Sequence, residues 1–328
     1  MSAFAPNLQL EPCEPPPWAR SGHAQTVFGH FLPSPMLRDL GERVTLELPD
    51  GDRLVAYYRA GLSGKTVYLF HGLSGSTEAD YIHRTAILAR AHGHSVYLAN
   101  HRGCGPGAGF AKHPYHSGRA EDLSAVIAHG RTREPGNTHL AIGFSLSGNA
   151  LLLLMSGGRE AVTGPLVKPD AAISVNAPID LADGAKALRE GLNRIYDLRF
   201  VHECRKDLKR RRKLTGRSYQ VPLLATLYDF DAIYTGPAGG FKSREDYYES
   251  CSTKNLLSQI DRPTLMLTAK DDPFVRYHNY AEARLSEHVH LHAEDHGGHM
   301  GYLSKRKTPL GSHRWLDYAL NEAMLRML

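Results

Sequence analysis

The chain has no run approaching the roughly 20 apolar residues of a membrane span, so a transmembrane helix is not expected. It has no low-complexity linker and no internal repeat, which argues against tethered modules and solenoids. Cysteine is scarce: Cys13, Cys104, Cys204 and Cys251 are far apart and show no metal-ligand pairing. A disulfide scaffold is therefore excluded, and reduced thiols in a cytoplasmic protein are the simplest expectation. No His-Glu-x-x-His segment is present, and the 19 histidines are scattered, so neither metal nor cofactor is expected. The N-terminus lacks a basic segment followed by an apolar stretch, so a secretory signal is not expected. Net charge is only +5, without interleaved stacking aromatics, so a nucleic-acid partner is not expected.

What is present is an alternation. Apolar strand-like runs recur from residue 66 onward, separated by helical segments. That pattern predicts an α/β fold, a mostly parallel central sheet with helices on both faces. Val44–Leu48 and Leu54–Tyr58 flank Pro49-Asp50-Gly51-Asp52, a hairpin signal. Residues 1 to about 40 are proline-rich and read as a loop wrapping the core. About 85 residues without a clear buried strand follow Ala171–Val175. The expected organisation is an arm and first core part at 1–182, a helical cap at 183–250, and the rest of the core at 251–328.

The segment Gly143-Phe144-Ser145-Leu146-Ser147-Gly148 joins a strand-like run to a helix-like run. A serine at a sharp strand-to-helix turn is a nucleophile elbow, with its hydroxyl clear of the sheet at the positive end of a helix. The usual pattern has glycine two positions after the serine; here Ser147 occupies it. A serine needs a base, and the base needs a carboxylate. Both follow in the order serine, acid, histidine. Thr264–Ala269 leads into Lys270-Asp271-Asp272-Pro273-Phe274-Val275, and a Pro-hydrophobic-hydrophobic turn favours Asp272 over Asp271 as the acid. The run from His288 to His292 leads into Glu294-Asp295-His296-Gly297-Gly298-His299-Met300-Gly301, where the flanking glycines favour His299 over His296. Thr66–Phe70 ends in His71-Gly72-Leu73, which places the Leu73 N–H, with that of Leu146, as candidate oxyanion donors. The loop lacks the Gly-Lys-Ser/Thr ending of a phosphate loop and does not fit the dinucleotide fingerprint. Cys104 follows no elbow and reads as a packed side chain.

Further blocks extend the pattern: Gly22-His23-Ala24-Gln25-Thr26-Val27, Asn100-His101-Arg102-Gly103-Cys104-Gly105, Tyr115-His116-Ser117-Gly118 with Asp122, Asn176–Leu181, and Phe230-Asp231 with Thr235, Gly240-Phe241 and Tyr247-Tyr248. In this order they resemble the α/β-hydrolase 4 family, the bacterial YheT-like and plant embryogenesis-associated esterase-like proteins. The resemblance covers most of the chain. It implies a serine-hydrolase triad at Ser145, Asp272 and His299, and carboxylic esters, often acyl or lipid esters, as substrates. Ser147 departs from the family's glycine.

The function expected is ester hydrolysis through an acyl-enzyme. Thioesterase, amidase or acyltransferase chemistry on the same triad is the alternative within enzymes. A non-catalytic binding protein on a hydrolase scaffold is the alternative outside them. The basic run Arg205–Lys213 reads first as a solvated helix face; Arg210, Arg211 and Arg212 could also contact an anionic membrane surface.

Overall fold

The computed structural model of the chain describes residues 8–327. Eight strands form one sheet: β1 (Glu42–Glu47), β2 (Arg53–Arg59), β3 (Lys65–Phe70), β4 (Ser95–Asn100), β5 (Thr138–Phe144), β6 (Ala171–Val175), β7 (Thr264–Ala269) and β8 (Val289–Glu294), in the order β1-β2-β4-β3-β5-β6-β7-β8. β1 and β2 pair antiparallel as the expected hairpin, and β2 pairs antiparallel with β4. Every other pairing is parallel.

The first helices are α1 (Gly22–Phe31), α2 (Asp80–Ala91), α3 (Ala120–Arg133), α4 (Leu146–Ser156) and α5 (Glu160–Thr163). Between β6 and β7 the chain runs through α6 (Leu181–Leu188), α7 (Arg194–Thr215), α8 (Leu227–Phe230), α9 (Gly236–Ala238) and α10 (Arg244–Cys251), with a five-residue π-turn at Asp231–Thr235. The chain ends with α11 (Tyr277–Glu282) and α12 (Trp315–Met327).

The sheet is covered on both faces, which explains why its central strands are apolar throughout. In β3, Tyr68 and Phe70 join the core on one face while Val67 and Leu69 join the core on the other. Successive strand residues point to opposite faces, so both must be apolar where helices cover both.

The N-terminal arm differs from expectation. It is not all loop: α1 forms within it, with the Ser21 hydroxyl accepting from the Ala24 N–H at 3.2 Å. Its buried residues are Gly22, Gln25 and Gly29. They carry no apolar stripe, so hydrophobic periodicity could not reveal the helix.

The candidate active site

Parallel strands end on one edge of a sheet, and side chains placed just beyond those ends converge. The loops after β3, β5, β6, β7 and β8 all lie there, and they carry His71–Leu73, Ser145, Asn176, Asp272 and His299.

Ser145 sits at φ 53°, ψ −120°, a backbone conformation that L-residues avoid. The turn is tight because the chain folds back on itself: a Cβ on Gly143 would lie 2.5 Å from the Ser147 carbonyl oxygen. The Ser145 N–H is tied to Val175 O at 2.8 Å. Its hydroxyl donates to His299 Nε2 at 2.9 Å, and His299 Nδ1–H donates to Asp272 Oδ2 at 2.8 Å. Asp272 is buried and accepts from the Phe274 and Val275 N–H groups at 3.1 and 2.9 Å and from Asn176 Nδ2 at 2.8 Å. The Phe274 ring packs on the His299 ring, with centroids 4.3 Å apart.

The neighbouring candidates are separated by direction. Asp271 turns away from the His299 side chain and accepts from the Gly297 and Gly298 N–H groups at 2.9 and 2.8 Å, holding the loop rather than the imidazole. His296 faces Asp271 at 3.5 Å and is 43% exposed. The His299 N–H donates to Thr26 Oγ1 at 2.8 Å, so α1 fastens the same loop from outside the sheet. Asn176 was not singled out as a site residue from sequence. Its amide bridges Asp272 and Gly298 O, while its oxygen accepts from the Tyr302 hydroxyl at 2.9 Å. Its left-handed φ of 46°, directly after β6, is the local feature that marks it, and no composition pattern reports that.

Leu73 and Leu146 both line the cavity with Ser145. Among the described residues, neither N–H donates to a backbone acceptor. Leu146 is also the first residue of α4, where the helix dipole favours negative charge.

Ser147 is fully buried and densely bonded. Its hydroxyl donates to His71 O and accepts from His101 Nε2–H at 2.6 Å and from the Tyr115 hydroxyl at 3.2 Å. The Tyr115 ring stacks on His101 at 3.9 Å. His101 N–H donates to His71 Nε2 at 3.2 Å, and His71 Nδ1–H donates to Gly72 O at 2.8 Å. His71 is therefore neutral with its hydrogen on Nδ1, and His101 carries a hydrogen on Nε2. Burial agrees, pushing His71 down to about 4 and His101 well below its ordinary value. The residue that departs from the usual glycine thus joins α4 to the loop bearing Leu73.

The cavity above Ser145 holds about 340 Å³, the size of a small-ligand pocket. Its walls combine Leu181, Leu188, Phe200, Phe230 and Tyr247 from the β6–β7 insertion with Tyr115 and Phe274 from core loops. Cys104 lines it too, but burial raises its thiol to about 12, so it stays protonated and is a poor nucleophile. Asp231, at the start of the π-turn, accepts from the Tyr248 hydroxyl at 2.9 Å; burial raises it to about 6.

Two buried arginines fix the walls. Arg102 pairs with Asp122 at 2.7 Å and with Asp50 and Asp52 at 2.5 and 2.8 Å. Asp50, Asp52 and His113 also lie close enough to share a cation, but the Arg102 guanidinium already supplies that charge. Arg211 corrects an expectation. It is only 2% exposed, pairs with Asp207 at 2.6 Å, and donates to the Arg102, Ala111 and His113 carbonyls. It clips α7 to the loop after β4 and is not available to an anionic surface. Arg210 and Arg212 are exposed, and Arg210 also lines the cavity. No described helix is long and apolar enough to cross a membrane.

Comparison with known proteins bears on the fold and the family. The chain is 30% identical over 285 residues to the Escherichia coli (strain K12) YheT protein, covering 83% of this chain and 81% of that one. It is 29% identical over 346 residues to Abhydrolase domain-containing protein 2 of Drosophila melanogaster, covering 97% and 84%. It is 26% identical over 304 residues to mouse Phospholipase ABHD3, covering 88% and 72%. Among solved structures, the Pyrococcus furiosus esterase Pf2001 shares the fold with a TM-score of 0.55 at 17% identity, over 90% of this chain and 99% of that one. The model of the alpha/beta hydrolase family matches residues 67–308. That span runs from β3 through the loop bearing His299, and the chain belongs to the alpha/beta hydrolase family.

Proposed function

We propose that the protein is a serine hydrolase that cleaves carboxylic esters through an acyl-enzyme. One observation carries the reading: an unbroken line of hydrogen bonds from Ser145 Oγ through His299 to Asp272, at 2.9 and 2.8 Å, opening into the cavity.

In this mechanism Ser145 Oγ attacks the ester carbonyl while its proton passes to His299 Nε2. The carbonyl oxygen becomes an oxyanion and accepts from the Leu73 and Leu146 N–H groups. His299 then gives the proton to the departing alkoxide, leaving Ser145 acylated. Water attacks the acyl carbon, its proton goes to His299, and Ser145 recovers its own as the acid leaves. Asp272 holds His299 in the Nδ1–H tautomer and balances its charge when it is protonated. Residues 183–250 act as the cap, whose apolar walls suit an acyl chain. The relatives named esterase and phospholipase support ester chemistry over a purely binding role.

Intact-mass measurement after fluorophosphonate treatment tests the reading. One adduct is expected on the wild type and none on a folded Ser145→Ala protein. Wild type that remains unmodified, or Ser145→Ala that still turns over p-nitrophenyl esters, would overturn it.

A further inference from the structure

α1 is turned the unusual way round. A surface helix ordinarily buries an apolar stripe and shows polar residues to water. α1 is held down by Gly22, Gln25 and Gly29. The fit is close: a Cβ on Gly22 would lie 1.7 Å from Asp271 O, and one on Gly29 would lie 2.5 Å from Gly301 Cα. Its apolar residues face outward instead. Phe31 is 72% exposed, and Val27 and Phe28 are exposed beside it.

The turn before α7 and the first residues of α7 add exposed apolar side chains beside α1. Leu192 and Ile195 are 65% and 66% exposed, and Leu198 is also exposed. The helices are tied side by side, with a hydrogen bond between the Tyr196 hydroxyl and His23 Nδ1 at 3.0 Å and another from Arg199 to His30 at 2.9 Å. Trp18 extends the patch by packing edge-on to Phe28, with centroids 5.2 Å apart. Scattered exposed apolar residues need no explanation, but a face assembled from two bonded helices does.

Charge indicates what covers it. α7 presents Arg199, Lys206, Lys209, Arg212 and Lys213 to solvent, with Lys206 paired to Glu203 at 2.7 Å, so the row keeps a net positive charge as it continues from the apolar patch along the helix. Its inner side, at Phe200, Glu203, Cys204 and Asp207, lines the cavity. Exposed rings and aliphatic side chains beside a row of cations match a bilayer interface, with the rings at the acyl boundary and the cations among anionic headgroups. A second copy of this chain would bring the same cations against each other.

We propose that α1 and the outer side of α7 form a docking surface for anionic phospholipid bilayers, which holds the cavity beside its supply of acyl esters. The last clause rests on the ester-hydrolase reading; the docking does not. Vesicle flotation of the purified protein tests it, using phosphatidylcholine vesicles with and without phosphatidylglycerol. Binding is expected to the anionic vesicles and to weaken as salt rises. The double variant Phe31→Ser/Ile195→Ser should bind at least about tenfold more weakly, since each lost side chain removes the transfer of a large apolar group. Lys206→Glu/Lys209→Glu should lose the preference for phosphatidylglycerol. Fluorophosphonate labelling should be unchanged in both variants; it reports folding and tests the serine reading separately. Absence of binding by the wild type, or binding untouched by Phe31→Ser/Ile195→Ser, would overturn the proposal. So would a dimer, seen by light scattering, that those substitutions dissolve while no vesicle binding is found.

Discussion

Replacing Ser147 with glycine restores the residue that nucleophile elbows usually carry, and pattern alone favours an equal or better enzyme. The structure gives the opposite sign. Ser147→Gly removes a buried hydroxyl that bonds to His71 O, His101 Nε2 and the Tyr115 hydroxyl. His101 Nε2–H keeps only His71 O, at 3.1 Å, and the Tyr115 hydroxyl loses the Ser147 hydroxyl that accepts from it. Each neutral hydrogen bond contributes about 1 kcal/mol, and stranding a buried donor costs about 1–3 kcal/mol. Glycine within α4 adds up to about 1 kcal/mol. The sum is about 4–7 kcal/mol, or a fall in melting temperature on the order of 5–10 °C. Activity should fall as well, because His71 immediately precedes the turn that aims the Leu73 N–H. Complete loss of one oxyanion donor costs about 10²–10³-fold in kcat, so a loosened one should cost about tenfold with KM little changed. Ser147→Ala keeps the Cβ and should fall between the two. Thermal melts and steady-state kinetics on a short-chain ester measure both effects. A Ser147→Gly protein that melts and turns over like wild type would refute the reasoning.

Asp272→Asn should act mainly on kcat, lowering it by about 10³–10⁴-fold through the His299 tautomer, with a smaller stability loss of about 1–2 kcal/mol because its N–H₂ group faces the Asn176 amide. Asp271→Ala should do the reverse, destabilising by about 2–4 kcal/mol through loss of two charge-assisted bonds to Gly297 and Gly298, with a smaller loss in kcat. Equal kinetic effects would show that the two acids are not separated as described. Asp231 is raised from 3.8 to about 6, so its carboxylate destabilises the folded state above pH 6 and the penalty fades as pH falls toward 4. Asp231→Asn should therefore melt higher than wild type at pH 7.5, by up to about 3 kcal/mol of stability, with the gain shrinking toward pH 4.5. A gain independent of pH would exclude that cause. Arg211→Met should destabilise by about 3–5 kcal/mol, since it strands Asp207 and three carbonyls, whereas Arg212→Met should stay within about 0.5 kcal/mol; chemical denaturation compares them.

Local chemistry made much of this molecule legible. The hairpin around Pro49–Asp52, the apolar strands and the elbow at Ser145 depend on neighbours in the chain. So does the order of serine, acid and histidine, and these features appear as patterns. The arm was misread because α1 is anchored by Gly22, Gln25 and Gly29, which no hydrophobic period reports. Arg211 was misread because it shares a basic run with Arg210 and Arg212. Helical geometry turns successive residues by about 100°, and only packing reveals which one faces the loop after β4.

The sequence by itself determined a parallel α/β sheet and the short segments from which a hydrolase site is built. Tertiary structure decided which atoms in those segments meet. Asp271 and Asp272 are adjacent in the chain, yet one bonds the backbone of the His299 loop and the other its imidazole. Ser147 lies in α4 while His101 and Tyr115 lie in the loop after β4, and only closure of the sheet edge brings them onto one hydroxyl. A hydrogen bond reaches about 3 Å, whereas a chain pattern specifies direction only over the few residues of its own turn or strand. Contacts between distant segments therefore had to wait for the fold.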